Sequence, residues 1–428
     1  MATWIDRTQT SGNRQIFTYS AWVKFTGDNL TSYAHLATTT PNPGNWDTIR
    51  LHENRKFEII CNNNSNILRT SRVFRDINAW YHFVVAVDTT QATASNRTKL
   101  YVNGVQETSF ESTGYPPQNH NTNFNTNSQT FRIGHNTWST GGGEYFTGLM
   151  SHVHWIDGTA YDATAFGEYD ANGVWKIKTS PSVTYGTNGF FILKDGNSVT
   201  DQSGNGNNFT VGGGTLTNTE DNPSNVFATL NPLINTNQTL SNGNTVVDFP
   251  LGNDAQMYST LAFSSGKYYA EFKINSFTAD RAHSLVLYTD ITTTGLYLSF
   301  CKTGDANVIT SFGSAVQSGL ASFSAGDIIG MAVDADNGTV DFTKNGSAYG
   351  SQVTGLSSNF SGKDLFFGFY GEGHGSLTRV FNASTNFGNG YFGTTAVTTA
   401  GTNASGIGIF EYDVPTGFTA LSTKGLNL

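Results

Sequence analysis

The sequence is poor in cysteine and in charge, and it has no tryptophan beyond Trp175. Two cysteines in 428 residues, Cys61 and Cys301, cannot build a disulfide framework. Neither has a second Cys or a His at zinc-ligand spacing, so both read as unpaired buried thiols suited to folding in a reducing cytoplasm. Charged residues make up 13% of the chain, the net charge is −9 and the basic residues form no dense cluster. Nucleic acid is therefore not an expected partner, because displacing its counterions needs a positive footprint. No apolar run approaches ~20 residues, which argues against membrane insertion. The opening residues, Met-Ala-Thr-Trp-Ile-Asp-Arg, lack the basic-then-apolar order of a secretory leader. Apolar residues at i, i+3, i+4 and i+7 are missing too, which excludes a helical bundle; Asp162-Ala-Thr-Ala-Phe-Gly-Glu offers a turn or two at most. No heptad, collagen-like or short-period repeat encodes a fibrous shaft.

What is present points to strands. Aromatics reach 13%, too many for a disordered chain, and 47 glycines accompany abundant Asn, Thr and Ser. Ser20-Ala-Trp-Val-Lys-Phe25 and Trp80-Tyr-His-Phe-Val-Val-Ala-Val-Asp88 read as strands. Lys99-Leu-Tyr-Val-Asn-Gly-Val105 runs into an Asn-Gly turn, as does Gly338-Thr-Val-Asp-Phe-Thr-Lys344 at Asn345-Gly346. Residues 212–225 are dominated by Gly, Asn, Asp and Pro and read as a linker, with the boundary near 215–228. The expectation is an all-β chain of two antiparallel β-sandwich (jelly-roll) domains in tandem, residues 1–220 and 221–428. Surface loops are expected over Thr38–Asn45, in the Asn-rich run Tyr115–Gln129 and over Trp138–Glu144. Residues 1–13 are expected to lie outside the sheets, free to dock elsewhere.

Three segments carry a resemblance. WYHFVVAVDTT…TKLYVNGV at residues 80–105, FTYSAWVK at 17–24 and GLMSHVHWI at 148–156 stand in the order found in the laminin-G-like/concanavalin-A-like jelly-roll family. The resemblance spans roughly residues 14–211. DQSGNGNNFT at 201–210 looks like an element that many bacterial members carry near the N-terminus; little room is left for a strand before residue 14, and the relocated segment is expected to supply it in a sandwich whose first and last strands are neighbours. The second half resembles SPRY (B30.2-like) domains through GDIIGMAVDADNGTVDFTKNG at 326–346 and GKYYAEFKI at 266–274. The pair, with the closing stretch at 412–427, resembles tailed-bacteriophage virion proteins. That resemblance implies a capsid decoration, head fibre or tail appendage, located in the virion after folding in the host cytoplasm and release by lysis. The partners it implies are other virion proteins and a host-surface glycan. A homo-oligomer is also expected, because flat sandwich edges can pair between chains.

Concanavalin-like sandwiches include glycoside hydrolases, whose carboxylates alternate on one strand as Glu-x-Asp-x-x-Glu. No such pattern exists here. Glu168-Tyr-Asp170 is followed at 173 by Gly, and Glu411-Tyr-Asp413 by Val-Pro, so both read as solvated carboxylates. No Gly-x-Ser-x-Gly elbow or phosphate loop occurs. The expectation is a protein that is not an enzyme; the alternatives are a polysaccharide depolymerase and a free carbohydrate-binding lectin. His152 and His154 suit either a metal or ordinary strand positions, and His82 occupies the family's Trp-x-His position. Laminin-G-like domains often bind calcium on a rim loop, for which Asp195, Asn197 and Asp201 offer hard oxygen ligands; the competing reading is an Asx-rich turn bonding its own backbone. Candidate sugar-contacting residues in loops are Trp46 with Asp47, Tyr115 with His120, Trp138 with Tyr145, and Tyr370 with His374, since an aromatic face stacks on a sugar ring while amides and carboxylates read its hydroxyls.

Overall fold

The computed structural model describes residues 3–25, 32–42, 44–61, 65–76, 79–136, 144–194, 198–234, 238–249, 255–277, 283–289, 297–303, 306–311, 314–321, 323–371 and 381–427. Two compact units emerge, Met1–Asn218 with Asn222–Ser224, and Thr219–Asp221 with Asn225–Leu428. Strand counts refer to the described residues.

In the first unit an alternating strand, Ile16–Phe25, sends Phe17, Tyr19, Ala21, Val23 and Phe25 into one core. It pairs on one side with Trp80–Asp88 and on the other with Gly148–Asp157. Phe190–Ile192 flanks the latter, and Thr98–Val102 then Val105–Gln106 flank the former, giving a six-stranded antiparallel sheet. An eight-stranded sheet lies opposite, in the order Phe110–Thr113, Asn66–Thr70, Phe57–Cys61, Asn45–Leu51, Ala34–Asn42, Thr130–Ile133, Trp4–Thr8 and Thr210–Gly213. The turn at Asn103–Gly104 has φ of 48° and 83°, the left-handed pair that a tight hairpin demands. A Cβ at Gly104 would also strike the Trp175 ring at 2.5 Å.

Three expectations change. Residues 1–13 are not free, because Trp4–Thr8 is hydrogen-bonded on both edges, to Thr130–Ile133 and to Thr210–Gly213. The cause is alternation: Ile5 and Arg7 turn inward and are buried, while Trp4, Asp6 and Thr8 face out. The displaced Asp201 element does lead into an edge strand beside the N-terminal segment, but it replaces no missing strand, because Trp4–Thr8 is present and is its neighbour. Most of Thr38–Asn45 is strand rather than loop: Ala34–Asn42 pairs with Asn45–Leu51, with Thr38 and Thr39 fully buried. Pro41 fits there because the register breaks between Thr39 and Asn42. The Asn-rich run lacks strands, yet Thr122–Asn125 is buried, and Phe124 packs its ring 4.8 Å from Trp155 and 5.5 Å from Phe17. Polar composition concealed a core plug.

Helix is as scarce as expected. Ala163–Ala165 makes one 3₁₀ turn in which an otherwise orphaned N–H, that of Thr164, bonds the Asp162 carboxylate at 2.9 Å.

The second unit is also built from two antiparallel sheets. One runs Thr239–Ser241, Val246–Phe249, Phe381–Asn386, Lys267–Phe277, Ile328–Asp334, Thr339–Lys344 and Ser347–Ala348. Thr419–Ala420 joins it in parallel beside Tyr268 and Tyr269, where Phe381–Asn386 no longer pairs. The other runs Ala255–Tyr258, Phe366–Gly371, His283–Tyr288, Tyr297–Thr303, Ala306–Ser311 and Ser314–Leu320. Phe272, Met331, Leu285, Phe367 and Phe369 fill the space between them. The Asn345–Gly346 turn repeats the left-handed pair, with φ of 50° and 79°.

Glu271 ties the C-terminal segment to this sheet. It is fully buried, and its two oxygens accept the N–H groups of Tyr412 and Glu411, each at 2.8 Å. Asn386 donates to it at 3.3 Å and to the Ile409 carbonyl at 2.9 Å. Burial raises the Glu271 carboxyl to about 7, against the pull of those N–H donors. A raised carboxyl favours folding below its ordinary value near 4.5 and loses that contribution as pH climbs to about 7. The loss amounts to ~3 kcal/mol at most. Calorimetry of the full chain should therefore show the second unit's melting temperature falling relative to Glu271→Gln between pH 4.5 and 7 and running parallel above. Parallel behaviour throughout would refute the assignment.

Candidate functional site

Two networks of buried polar groups shape the surface of the first unit. One closes an end of the sandwich around Asp157, the last residue of the Gly148–Asp157 strand and only 7% exposed. Its Oδ1 accepts from the backbone N–H of Asn13 at 2.7 Å and from Asn125 Nδ2 at 3.1 Å. Its Oδ2 accepts from the Asn188 N–H at 2.9 Å. Asn125, at φ 59°, also accepts from Trp155 Nε1 at 2.9 Å and donates to the Asn13 carbonyl at 2.7 Å. Gly12 must be glycine, since a Cβ there would lie 2.2 Å from the Asp157 carboxylate. Asn188 imitates a strand toward Thr10, accepting from its N–H at 2.9 Å and donating to its carbonyl at 2.8 Å.

The network continues outward through Arg7. Its Nη1 donates to the Asn188 carbonyl at 3.1 Å and its Nη2 to Asn207 Oδ1 at 2.5 Å. Burial lowers this guanidinium's pKa, and the carboxylates of Asp201 and Asp157 act against that. Beyond Arg7 a cleft of about 510 Å³ opens to solvent. The outward faces of Asp6, Thr8, Thr130 and Thr210 line it from the sheet. Thr10, Gly206, Asn207 and Asn208 wall it from the loops.

The second network is aromatic. His82 is fully buried between Trp22, stacked at 4.8 Å and 12°, and Trp175, at 5.9 Å and 21°. Trp175 Nε1 donates to His82 Nδ1 at 3.0 Å, so the ring proton sits on Nε2 and points at Ser20 Oγ, 2.8 Å away. Burial, with His152 nearby, lowers the His82 pKa to about 3. The pair resembles a nucleophile and its base, but this tautomer donates to the hydroxyl and cannot take its proton. His154 stacks on Phe191 at 4.0 Å and bonds Tyr185 Oη at 3.0 Å, and burial holds its pKa well below the ordinary value. His152 stands at φ 49° within the register break of its strand, with Nδ1 2.7 Å from Ser151 Oγ. Among the described residues, no three His, Cys, Asp or Glu side chains converge in a way that could hold a metal ion.

The residues expected to touch a ligand fall in different places. Trp46 and Asp47 are buried in a strand rather than displayed on a loop. Asp47 accepts from the Asn123 N–H at 2.6 Å, and Trp46 lies under the Arg50 guanidinium, 5.6 Å from its ring centre. Tyr115 is half-buried against the core. His120 is half-buried, its pKa lowered by burial and then by Arg14, and its carbonyl accepts from Thr89 Oγ1 at 2.8 Å. Tyr145 stacks on His135 at 4.2 Å beside Trp4. Next to it Glu144 accepts from Asn136 at 2.5 Å and faces His35 Nε2 at 3.2 Å. Burial takes the His35 pKa down to about 4. Tyr370 is half-buried against Tyr258, Val286 and Tyr288. Trp138, His374, Asp195 and Asn197 lie outside the described residues. Asp201 bonds its own loop and the Phe190–Ile192 strand: Oδ1 accepts from Phe191 and Ser203 N–H, and Oδ2 from Ser203 Oγ and Asn207 N–H, each at 2.8 Å. Four donors saturate this carboxylate.

Sequence reasoning missed Arg7, Asn125, Asp157 and Asn188. The density of Asn in 119–127 and 205–208 was the available signal, because buried Asn side chains stand in for backbone pairing.

A family model described as "Concanavalin A-like lectin/glucanases superfamily", of the laminin-G type, matches residues 3–163. A concanavalin A-like domain is thus present in the first unit. No curated protein matches the sequence. Similar solved structures include the SPRY domain of human HERC1, at 16% identity and TM-score 0.31, covering 36% of this chain and 96% of that one. The TRIM65 PSpry domain is 18% identical, with TM-score 0.28 and coverage of 37% and 91%. The heptameric SAP-like pentraxin from Limulus polyphemus is 16% identical, with TM-score 0.28 and coverage of 37% and 71%.

The tautomer gives a direct check. Nitrogen-15 NMR of the histidine rings should find His82 neutral from pH 5 to 8 with its proton on Nε2. A ring that titrates within that range, or carries its proton on Nδ1, would contradict the packing described.

Proposed function

We propose that this chain is a non-enzymatic carbohydrate-binding display protein, carried on a tailed-phage particle as a head or tail appendage that engages host-surface glycans. The observation that carries the binding half is the two-sheet sandwich whose first unit matches the lectin/glucanase superfamily over residues 3–163. The phage half rests on the sequence resemblance of the tandem pair, and with it go the virion partners and the homo-oligomer.

Binding is favoured over hydrolysis by what the candidate carboxylates do. A retaining glycosidase needs two carboxyl groups about 5 Å apart across an open cleft, one with its pKa raised. Asp170 instead accepts the N–H groups of Asn172 and Val174, both at 2.9 Å, and pairs with Lys176 at 2.8 Å. Those contacts hold it below the ordinary carboxylate range, the Lys176 hydrogen bond foremost. Asp413 is lowered likewise by the N–H and hydroxyl of Thr402. Glu271 has the raised pKa of a general acid, but it is closed off from solvent by the C-terminal segment.

Two measurements test the reading. The full chain on a panel of neutral and acidic bacterial glycans should bind a subset with micromolar to millimolar affinity and release no reducing ends. Mass spectrometry of gradient-purified particles should find the chain at stoichiometric levels. Release of reducing ends would establish a depolymerase, and absence from the particles would leave a free lectin.

A further inference from the structure

We propose that the cleft beside the Trp4–Thr8 strand is a subsite for an uncharged saccharide, read by hydroxyl and carboxamide groups rather than by aromatic stacking. This deepens the carbohydrate-binding reading and rests on it.

The cleft's size and chemistry set the ligand class. About 510 Å³ lies in the range of small-molecule sites, roughly 300–1,000 Å³. Such sites are ordinarily walled by apolar side chains, whereas here every lining side chain is polar, Gly206 having none. An apolar ligand would gain nothing from it. The charges present are already matched. Arg132 grips Asp6 through Nε and Nη2, at 2.6 and 2.9 Å. Arg7 lies within the fields of Asp201 and Asp157 and gives two N–H groups to Asn188 and Asn207. An anion meets no uncompensated cation, and a cation meets no uncompensated carboxylate. A neutral molecule dense in hydroxyls fits both facts.

The walls are also fixed before any ligand arrives, which reduces the ordering cost of binding. Asn207 is anchored at both ends, through Arg7 at its oxygen and through the carbonyls of Thr187 and Gly189, at 2.9 and 2.8 Å, at its nitrogen. Asn208 Oδ1 is fixed by the Asp201 N–H at 2.8 Å. Against this frame three polar groups have no partner among the described residues: the hydroxyls of Thr8 and Thr130 and the Asn208 Nδ2. Thr8 and Thr130 are directly opposed across the strand pair, Cβ atoms about 5 Å apart. Each hydroxyl can donate and accept, as a sugar hydroxyl does. Asp6, next on the same face, keeps acceptor capacity beyond its two bonds from Arg132. The set can bridge neighbouring hydroxyls of one ring.

Saturation-transfer NMR on the full chain, with galactose-, glucose-, mannose- and N-acetylhexosamine-terminated oligosaccharides and a uronate-terminated analogue, tests this. Thr8→Val with Thr130→Val keeps the β-branched shape and removes both hydroxyls; unchanged melting would show the fold intact. Asn208→Asp keeps the oxygen that Asp201 needs and removes the donor. Each variant should weaken the best neutral ligand about tenfold, while Tyr169→Ala, an exposed ring elsewhere on the unit, should leave it unchanged. Wild-type affinity in both cleft variants would overturn the subsite and leave the carbohydrate reading standing. Tighter binding of the uronate would overturn the neutral class. A wild-type chain that binds no saccharide on the panel would overturn the reading and the subsite together.

Discussion

A single buried carboxylate, Asp157, holds one end of the first sandwich together. It sits where the Gly148–Asp157 strand leaves the six-stranded sheet and accepts bonds from residues 144, 32 and 31 positions away in sequence. Those partners belong to the chain entering the Ile16–Phe25 strand, the Asn-rich run that plugs the core, and the approach to Phe190–Ile192. A carboxylate removed from water is costly unless fully satisfied. Satisfying it requires all three segments to converge, so the same interaction that stabilises them also fixes their geometry. Arg7, Asn188 and Asn207 inherit that geometry, and the surface cleft is its outermost consequence.

The same logic explains why a chain with titratable groups in its interior need not perform acid–base chemistry. His82 is neutralised by burial and locked by the Trp175 indole, and Asp201 is saturated by its own loop and the Phe191 N–H. In the second unit Glu271 repeats the device, joining the C-terminal segment to the sheet by two backbone N–H groups. Asp157 and Glu271 each use one acidic side chain to organise a stretch of polar backbone that has no ladder of its own. In a chain rich in Gly, Asn and Thr, polar hubs of this kind supplement the apolar core.

The strands were legible in the sequence because their pattern is local. Alternation marked Ser20–Phe25, the second part of the Ile16–Phe25 strand, and the whole of Trp80–Asp88, and the Asn-Gly pairs marked both hairpins with the backbone angles that those residues favour. The displaced Asp201 element pointed to a sandwich whose first and last strands are neighbours, but not to the Trp4–Thr8 strand beside it. What escaped was non-local. Nothing near Asp47 says that Asn123 will cover it, and a run such as Asn-Thr-Asn-Phe-Asn reads as solvent-exposed until Phe124 is placed among Phe17, Phe131 and Trp155. Composition judged Trp46 and Asp47 a loop for the same reason. Among the described residues expected to display an aromatic face, Trp46 is buried and Tyr115, Tyr145 and Tyr370 are half-buried, while the groups left free on the cleft are threonines and an asparagine that carry no sequence signature.

Amide hydrogen exchange on the intact chain and on Asp157→Ala addresses the central constraint directly. The account predicts strong protection of the Asn13 and Asn188 amides in the parent, lost in the variant together with that of Gly12 and Asn207, while amides of the Ile16–Phe25 strand stay protected. Parent amides at Asn13 and Asn188 that exchange as fast as an unfolded chain's, or a variant that leaves them unaltered, would contradict it.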